Sequence, residues 1–350
     1  MMIRDESIAE LFSLSRDAVI GIVKGNIAFA NSAACALFPL RIGESASGIL
    51  PAWALEQEGE HFIFSHRYGE RVYAVSGVRK DELLLLTLTA EKEESSAVPS
   101  GVLSELRQSA YNLKMAAELL AEKNTRDAKC ENYAAIMRKN YFSLTRLIRN
   151  IGDIDALSRS ELTVSREATD LHRLCAELMD SVAFFLKSRE INIEFHALPG
   201  HYCMKADRER IETLILNLIC NSALHTDKGG TILLSLAERD DRILLSLDDN
   251  GHGIPAERLS TLFSFRSASL QDANSAGLGL MLCESIVRLH GGTLLVRSEP
   301  EKGTHIRIML PQEKKLTLRD DLPLAPGAGR ILLELSPVLP SSMYSTRYTD

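Results

Sequence analysis

Two runs of apolar residues, spaced alternately three and four apart, constrain this 350-residue chain more than any other feature. The first is Leu103, Leu106, Ala110, Leu113, Ala117 and Leu120; the second is Tyr133, Met137, Asn140, Leu144, Leu147, Ile151 and Ile154. Such spacing winds a stripe along one helix face. The break around Lys123-Asn124-Thr125 is short enough to fold the helices into an antiparallel hairpin over 102–160. Two helices cannot bury both sides of such a seam alone. The pattern therefore predicts a four-helix bundle made by two chains, a homodimer; the alternative is an intrachain pair packed on a neighbouring domain.

The rest of the chain divides around that hairpin. At roughly 150 residues per domain, the length allows two or three domains. Residues 1–92 mix strand-like runs (AVIGIV, GNIAFAN, HFIFSHRYGERVYAVSG, ELLLLTLTA) with tight turns, which predicts an antiparallel sheet with short helices. A polar stretch ending in Pro99 and Gly101 reads as a linker, 93–101. From 165 to 312 a helix over Asp170 to Lys187 and the strands INIEFHA, TILLSLAE, RILLSLDD, GTLLVRSE and HIRIMLP predict an α/β sandwich, so the whole chain is α+β and multidomain. The tail, 313–350, holds a turn at Pro326–Gly329 and one strand-like run, RILLEL, with no function assigned.

Composition removes several classes. The 47 acidic residues outnumber the 40 basic ones, and a net charge of -7 lacks the footprint of a general nucleic-acid binder. The six cysteines have no short spacing that would suit disulfides or zinc. The start, MMIRDESIAELF, carries charge where a signal peptide needs an apolar core, and no run approaches the ~18 apolar residues of a membrane span. A cytoplasmic protein with no membrane span and no nucleic-acid partner is expected.

Three motifs in the last large segment carry chemistry. Asn217 and Asn221 stand four apart on one helix face and offer neutral oxygen ligands to a hard cation; the plain alternative is a pair of surface asparagines. Asp249-Asn-Gly251-His-Gly253 follows a strand, placing a carboxylate and close-approaching backbone at its end; an Asp-Asn-Gly turn reads the same. Gly277-Leu278-Gly279 opens an apolar helix, whose free N–H groups favour phosphate. No strand precedes it and no P-loop lysine accompanies it, which disfavours those two folds.

In this order, and with Gly303-Thr304 before a final strand, the motifs resemble the N, G1, G2 and G3 boxes of the GHKL ATP-binding fold; Leu262–Phe265 resembles its F box. Asn217, in place of glutamate, is similar to the sensor histidine kinases. The resemblance implies ATP and Mg²⁺ as cofactors. Asn221 would hold Mg²⁺ and Asn217 would support the phosphate region. Asp249 would bond the adenine amine, with Gly251 and Gly253 beside the ring and Thr304 near it. Gly277, Leu278 and Gly279 would cradle phosphates behind a lid over 264–276. Two positions depart: Ser275 replaces the first glycine of the G2 box, and Leu224 replaces the usual basic residue, so Arg266 is a candidate phosphate contact.

The hairpin resembles the family's dimerisation and phosphoacceptor domain, whose first helix carries His-Glu-Leu-Arg. Here the run is Ser104-Glu105-Leu106-Arg107-Gln108. A serine hydroxyl is a poor nucleophile without a strong base, and its phosphate ester is stable, so transfer to an aspartate through Ser104 is not expected. None of the nine histidines lies in the hairpin; His172 follows it. Glu105 and Gln108 share a face and resemble the acid and carboxamide with which the family orients a water on phosphoaspartate; the plain alternative is a pair of solvated surface residues. The N-terminal segment resembles a PAS sensor, through Val19–Ile22 and Gly25–Asn31, with Cys35 and His61 more simply explained as ordinary core or surface groups.

These features predict a histidine-kinase-family signalling protein: an ATP-binding dimer, degenerate in autophosphorylation, regulating or dephosphorylating a response regulator receiver domain. The alternatives are an active sensor kinase with an unrecognised acceptor, and a GHKL ATPase or anti-sigma-type serine kinase.

Overall fold

The computed structural model describes residues 12, 15, 17–55, 61–68, 71–90, 100–123, 128–158, 164–259, 262, 276–316 and 327–345. The linker up to Ser100, Phe263, the lid residues through Ser275, and Arg266 within them lie outside that set.

The N-terminal unit is built from β1 (Ala18–Val23), β2 (Asn26–Ala30), α1 (Ser32–Leu37), α2 (Ala52–Leu55), β3 (His61–Tyr68), β4 (Arg71–Lys80) and β5 (Leu83–Ala90). Period-2 burial along β4 sends alternate residues into its core. Asn31 fastens the first turn: its Oδ1 accepts from Ala34 N and Val19 N, both at 2.9 Å.

Two long helices follow, α3 (Ser100–Lys123) and α4 (Ala128–Ser158). Ala110 and Ile148 are buried between them with Tyr141, Leu144 and Ile151 alongside. Leu106, Leu113, Tyr133 and Ile136 stay exposed. The inward side of α4 also carries polar groups: Arg138, Arg146, Asn150 and Asp155 are buried alongside Ala134, Ala135 and Ile148.

The remaining elements are β6 (Glu167–Asp170), α5 (Leu171–Leu186), β7 (Asn192–Ala197), β8 (Cys203–Ala206), α6 (Arg208–His225), β9 (Thr231–Arg239), β10 (Arg242–Asp249), α7 (Ala256–Leu259), α8 (Ala276–Leu289), β11 (Thr293–Glu299), β12 (Gly303–Pro311) and α9 (Ala328–Glu334). Helix α6 is buried on nearly every side. The strands β12, β10 and β9 run antiparallel, while β7 joins β9 in parallel. The short pair β6 and β8 forms a separate sheet that sequence patterning did not reveal. Among the described residues, no helix is long and apolar enough to cross a membrane.

Two features depart from expectation. The sheets of the first and last units are continuous: β3 pairs with β11 (Phe64 with Leu295, Ile63 with Val296), giving ten strands in the order β2-β1-β5-β4-β3-β11-β12-β10-β9-β7. Leu295 accordingly joins the N-terminal core, and Ile63 the larger one. Secondly, the run RILLEL, expected as a strand, is helical. Ile331, Leu332, Leu335, Val338 and Leu339 recur at helical spacing and are all buried, so the tail closes over the main core instead of joining a sheet.

Candidate functional site

Helix α6 and strand β10 bring the motif residues to one end of the sheet. Alternation along β10 separates its two terminal carboxylates. Asp248 faces His305 Nδ1 (2.5 Å) and Arg307 Nη1 (2.8 Å); burial pushes its pKa up, but these bonds hold it below the ordinary carboxylate value. Asp249, 7 % exposed, turns inward.

The bonding of Asp249 can be counted. Its Oδ1 accepts from the Gly251 and Thr304 backbone N–H groups, each at 3.1 Å. Its Oδ2 accepts from Ser222 Oγ at 2.6 Å. Two lone pairs per oxygen leave one acceptor position, on Oδ2, suited to a single further N–H donor. Ser222, on α6, was not singled out in the sequence; being next to Asn221 gave no sign that it meets a strand end 27 residues away.

Backbone shape lets the chain pass close by. Gly253 sits at φ +67°, and a Cβ there would stand 2.0 Å from the Glu299 carbonyl oxygen, so no other residue fits without a shift. On α8, a Cβ at Gly279 would lie 3.2 Å from Asn217 Oδ1 and 3.6 Å from Asn221 Nδ2. The glycine-opened helix and the paired amides are thus adjacent. Gly277 shares the first turn of α8, and Leu278 is half-buried there.

Two buried polar atoms nearby have no partner: Asn221 Nδ2 and Thr226 Oγ1. Orphaned buried groups are costly and mark places where a ligand supplies the missing bond. Together with the free lone pair of Asp249, they suit a polar ligand with both donor and acceptor groups. Burial also lowers the pKa of His225, keeping a neutral imidazole at the C-terminal end of α6.

Of the other sequence candidates, Asn217 lies beside Gly279 and the hairpin residues lie apart from it, on α3. Asn217 is fully buried and bonded only to protein: Arg146 Nη2 donates to its Oδ1 (2.6 Å), and its Nδ2 donates to the Thr213 carbonyl (2.9 Å) and Glu334 Oε2 (3.3 Å). Ser104 and Glu105 fall in α3, but their side chains lie outside the described residues. Gln108 is exposed on α3 and donates to Asn112 Oδ1 at 3.3 Å.

Residues 206–314 match the family model of the histidine kinase-, DNA gyrase B-, and HSP90-like ATPases. The alginate biosynthesis sensor protein KinB of Pseudomonas aeruginosa is 30% identical over 210 residues, covering 59% of this chain and 35% of that protein. The sensor histidine kinase ZraS of Klebsiella oxytoca is 29% identical over 227 residues, covering 64% of this chain and 48% of that one. This chain therefore spans less than half the length of either relative. Among solved structures, full-length ShkA in complex with AMPPNP is similar in fold, with a TM-score of 0.52 at 22% identity, covering 62% of this chain and 46% of that one. Residues 206–314 are thus similar to the histidine kinase-, DNA gyrase B-, and HSP90-like ATPases, and over a longer stretch the chain is similar to a sensor protein and a sensor histidine kinase.

Proposed function

We propose that the chain is a dimeric two-component signalling protein that binds ATP with Mg²⁺, has lost autophosphorylation, and acts on a response regulator receiver domain as a nucleotide-switched regulator or phosphatase. The observation that carries the nucleotide reading is the single open lone pair of buried Asp249, beside the orphaned Thr226 and Asn221 atoms.

In this reading Asp249 accepts from the adenine amine, and Ser222 with the Gly251 and Thr304 amides fixes the carboxylate for it. Gly251 and Gly253 keep that approach free of side chains. Asn221 would hold the magnesium ion through its carboxamide oxygen, and Gly277 and Gly279 would offer the first-turn amides of α8 to phosphate oxygens. Magnesium, when bound, neutralises phosphate charge. Arg266 remains a candidate phosphate contact on the sequence alone.

Ser104 in place of histidine supports loss of autophosphorylation, since no base strong enough to ionise its hydroxyl is evident from the sequence. Glu105 and Gln108 then orient a water on a receiver's phosphoaspartate. The exposed Leu106, Leu113, Tyr133 and Ile136 support pairing of the hairpin with a second copy. The sheet over residues 18–90 serves as a PAS-like sensor.

Incubating the full chain with γ-labelled ATP and Mg²⁺ tests this directly. ATP binding with no protein label is expected. Acid-labile label means a histidine acceptor and acid-stable label means Ser104; either overturns the loss of autophosphorylation. Faster loss of phosphate from a phosphorylated receiver domain, abolished by Gln108→Ala, would select the phosphatase.

A further inference from the structure

The tail, 327–345, has no part in the function proposed above, yet it reaches the helix that carries the paired asparagines. Glu334, at the end of α9, is fully buried. Arg146 Nε of α4 lies 3.3 Å from its Oε2, and Arg149 pairs with its Oε1. The same Oε2 accepts from Asn217 Nδ2 at 3.3 Å, while Arg146 Nη2 donates to Asn217 Oδ1 at 2.6 Å. Three helices, α4, α6 and α9, meet at one carboxylate and one carboxamide.

The amide is almost fully committed. Both Nδ2 protons are taken, by Thr213 and Glu334, and one of the two Oδ1 lone pairs is taken by Arg146. The remaining lone pair lies on the oxygen closest to Gly279 of α8. Arg146 is itself only 3 % exposed, and among the described residues its charge is paired with Glu334.

Nothing about anchoring the tail requires that charge. Arg330 donates to Thr213 Oγ1 (2.9 Å) and the Glu209 carbonyl (2.6 Å), which fastens one end to α6. Arg138 Nε donates to the Tyr344 carbonyl (2.6 Å), and Tyr344 O–H donates to the Leu332 carbonyl (2.8 Å), which fastens the other end against α4. Ile331, Leu332, Leu335, Leu339 and Tyr344 supply the apolar contact.

We infer that Glu334 is a positioning residue of the nucleotide site: with Arg146 it sets the Asn217 carboxamide, and so links the hairpin and the tail to the phosphate end of that site. This rests on the nucleotide-binding function proposed above. Glu334 touches no ligand and acts through Asn217. Neutralising it leaves Arg146 buried without a counter-charge, and the guanidinium must move and take the amide with it.

The full chain tests this by calorimetry with two probes, Mg²⁺–ATP for both halves of the site and adenosine for the Asp249 half alone. Glu334→Gln is expected to weaken ATP by about tenfold, the scale of one charged hydrogen bond, and to leave adenosine within about twofold. Tyr344→Phe, which removes the bond to the Leu332 carbonyl and keeps Glu334 and Arg146, is expected to lower Tm with both affinities unchanged. An equal loss of both ligands in Glu334→Gln, or no loss of ATP affinity, overturns the inference. Should Glu334→Gln fail to fold, Arg149→Gln carries the test: about threefold weaker ATP with adenosine unchanged supports it, and unchanged ATP overturns it. A wild-type chain that binds neither probe instead removes the nucleotide function itself, and the positioning role with it.

Discussion

The backbone N–H of Asp207 donates to His290 Nε2 at 3.0 Å, while His290 Nδ1 donates to the Ile286 carbonyl at 2.8 Å. An accepting Nε2 carries no proton, so this histidine, 3 % exposed, is folded in its neutral form. Burial lowers its pKa from 6.5, as it does for His66 and His225. For each, the unfolded chain binds protons more readily than the folded one. Their contribution to stability is whole above 6.5 and is lost as pH falls through the lower folded values. His252 works oppositely: bonding to Asp227 raises its pKa, so its contribution is present below 6.5 and lost at higher pH, and its exposure to solvent screens that contribution, whereas the His290 ring is enclosed. Tm is expected to fall between pH 7 and about pH 5.5, and His290→Gln to show a shallower fall in the same scan.

Ser65 on β3 donates to Glu284 of α8 at 2.5 Å, in a buried contact between residues 219 apart in sequence. Glu284 also pairs with Arg288, so its carboxylate keeps one partner when Ser65 is removed. Ser65→Ala is expected to cost about 1.5–3 kcal/mol, the range for a hydrogen bond to a charged group. Urea unfolding followed by circular dichroism would read this as a lower midpoint at unchanged slope.

Asp249→Asn places an amide where a carboxylate accepts four donors in the nucleotide-bound state. With the amide oxygen kept toward Gly251 and Thr304, the NH₂ would face both Ser222 Oγ, which can turn to accept, and the adenine amine, which cannot. ATP affinity is expected to drop about a hundredfold, near 2.7 kcal/mol, with adenosine falling in parallel. Calorimetry showing unchanged ATP affinity would remove Asp249 from the site.

Gly25 and Gly253 both have positive φ, at +79° and +67°, but only Gly253 has a neighbour within contact: a Cβ meets nothing within 4 Å at Gly25 and meets the Glu299 carbonyl at 2.0 Å at Gly253. Gly25→Ala should therefore cost only the conformational term, about 1 kcal/mol. Gly253→Ala adds a backbone clash and should cost more than about 3 kcal/mol. Paired thermal melts of the two variants compare strain with strain plus overlap.

Local periodicity revealed a good part of this architecture. The three- and four-residue spacings from Leu103 and from Tyr133 correspond to α3 and α4, and the alternating runs to β1, β3–β5, β7 and β9–β12. The motif residues Asn221, Asp249, Gly251 and Gly279 meet at one end of the sheet because a helix end, a strand end and a helix start converge there. What stayed hidden needs tertiary knowledge. Arg146 stands between Leu144 and Leu147 and reads as an outward charge on a coiled seam, yet it is buried against a helix 71 residues away. RILLEL is rich enough in branched residues to pass for a strand; only the recurrence on to Val338 and Leu339 exposes the helical period. The β3–β11 pairing left no trace in either strand, because an edge that finds a partner looks the same in sequence as one that does not.

That junction limits how this chain can be rearranged. A receiver of signals hung on a flexible tether can be exchanged between proteins like a cassette. Here, excising residues 1–99 would strip β11 of its neighbour and bare Leu295 and a row of unsatisfied backbone groups, an invitation to self-association. The front portion is woven into the same sheet as the C-terminal one, so neither can be cut away without baring the other.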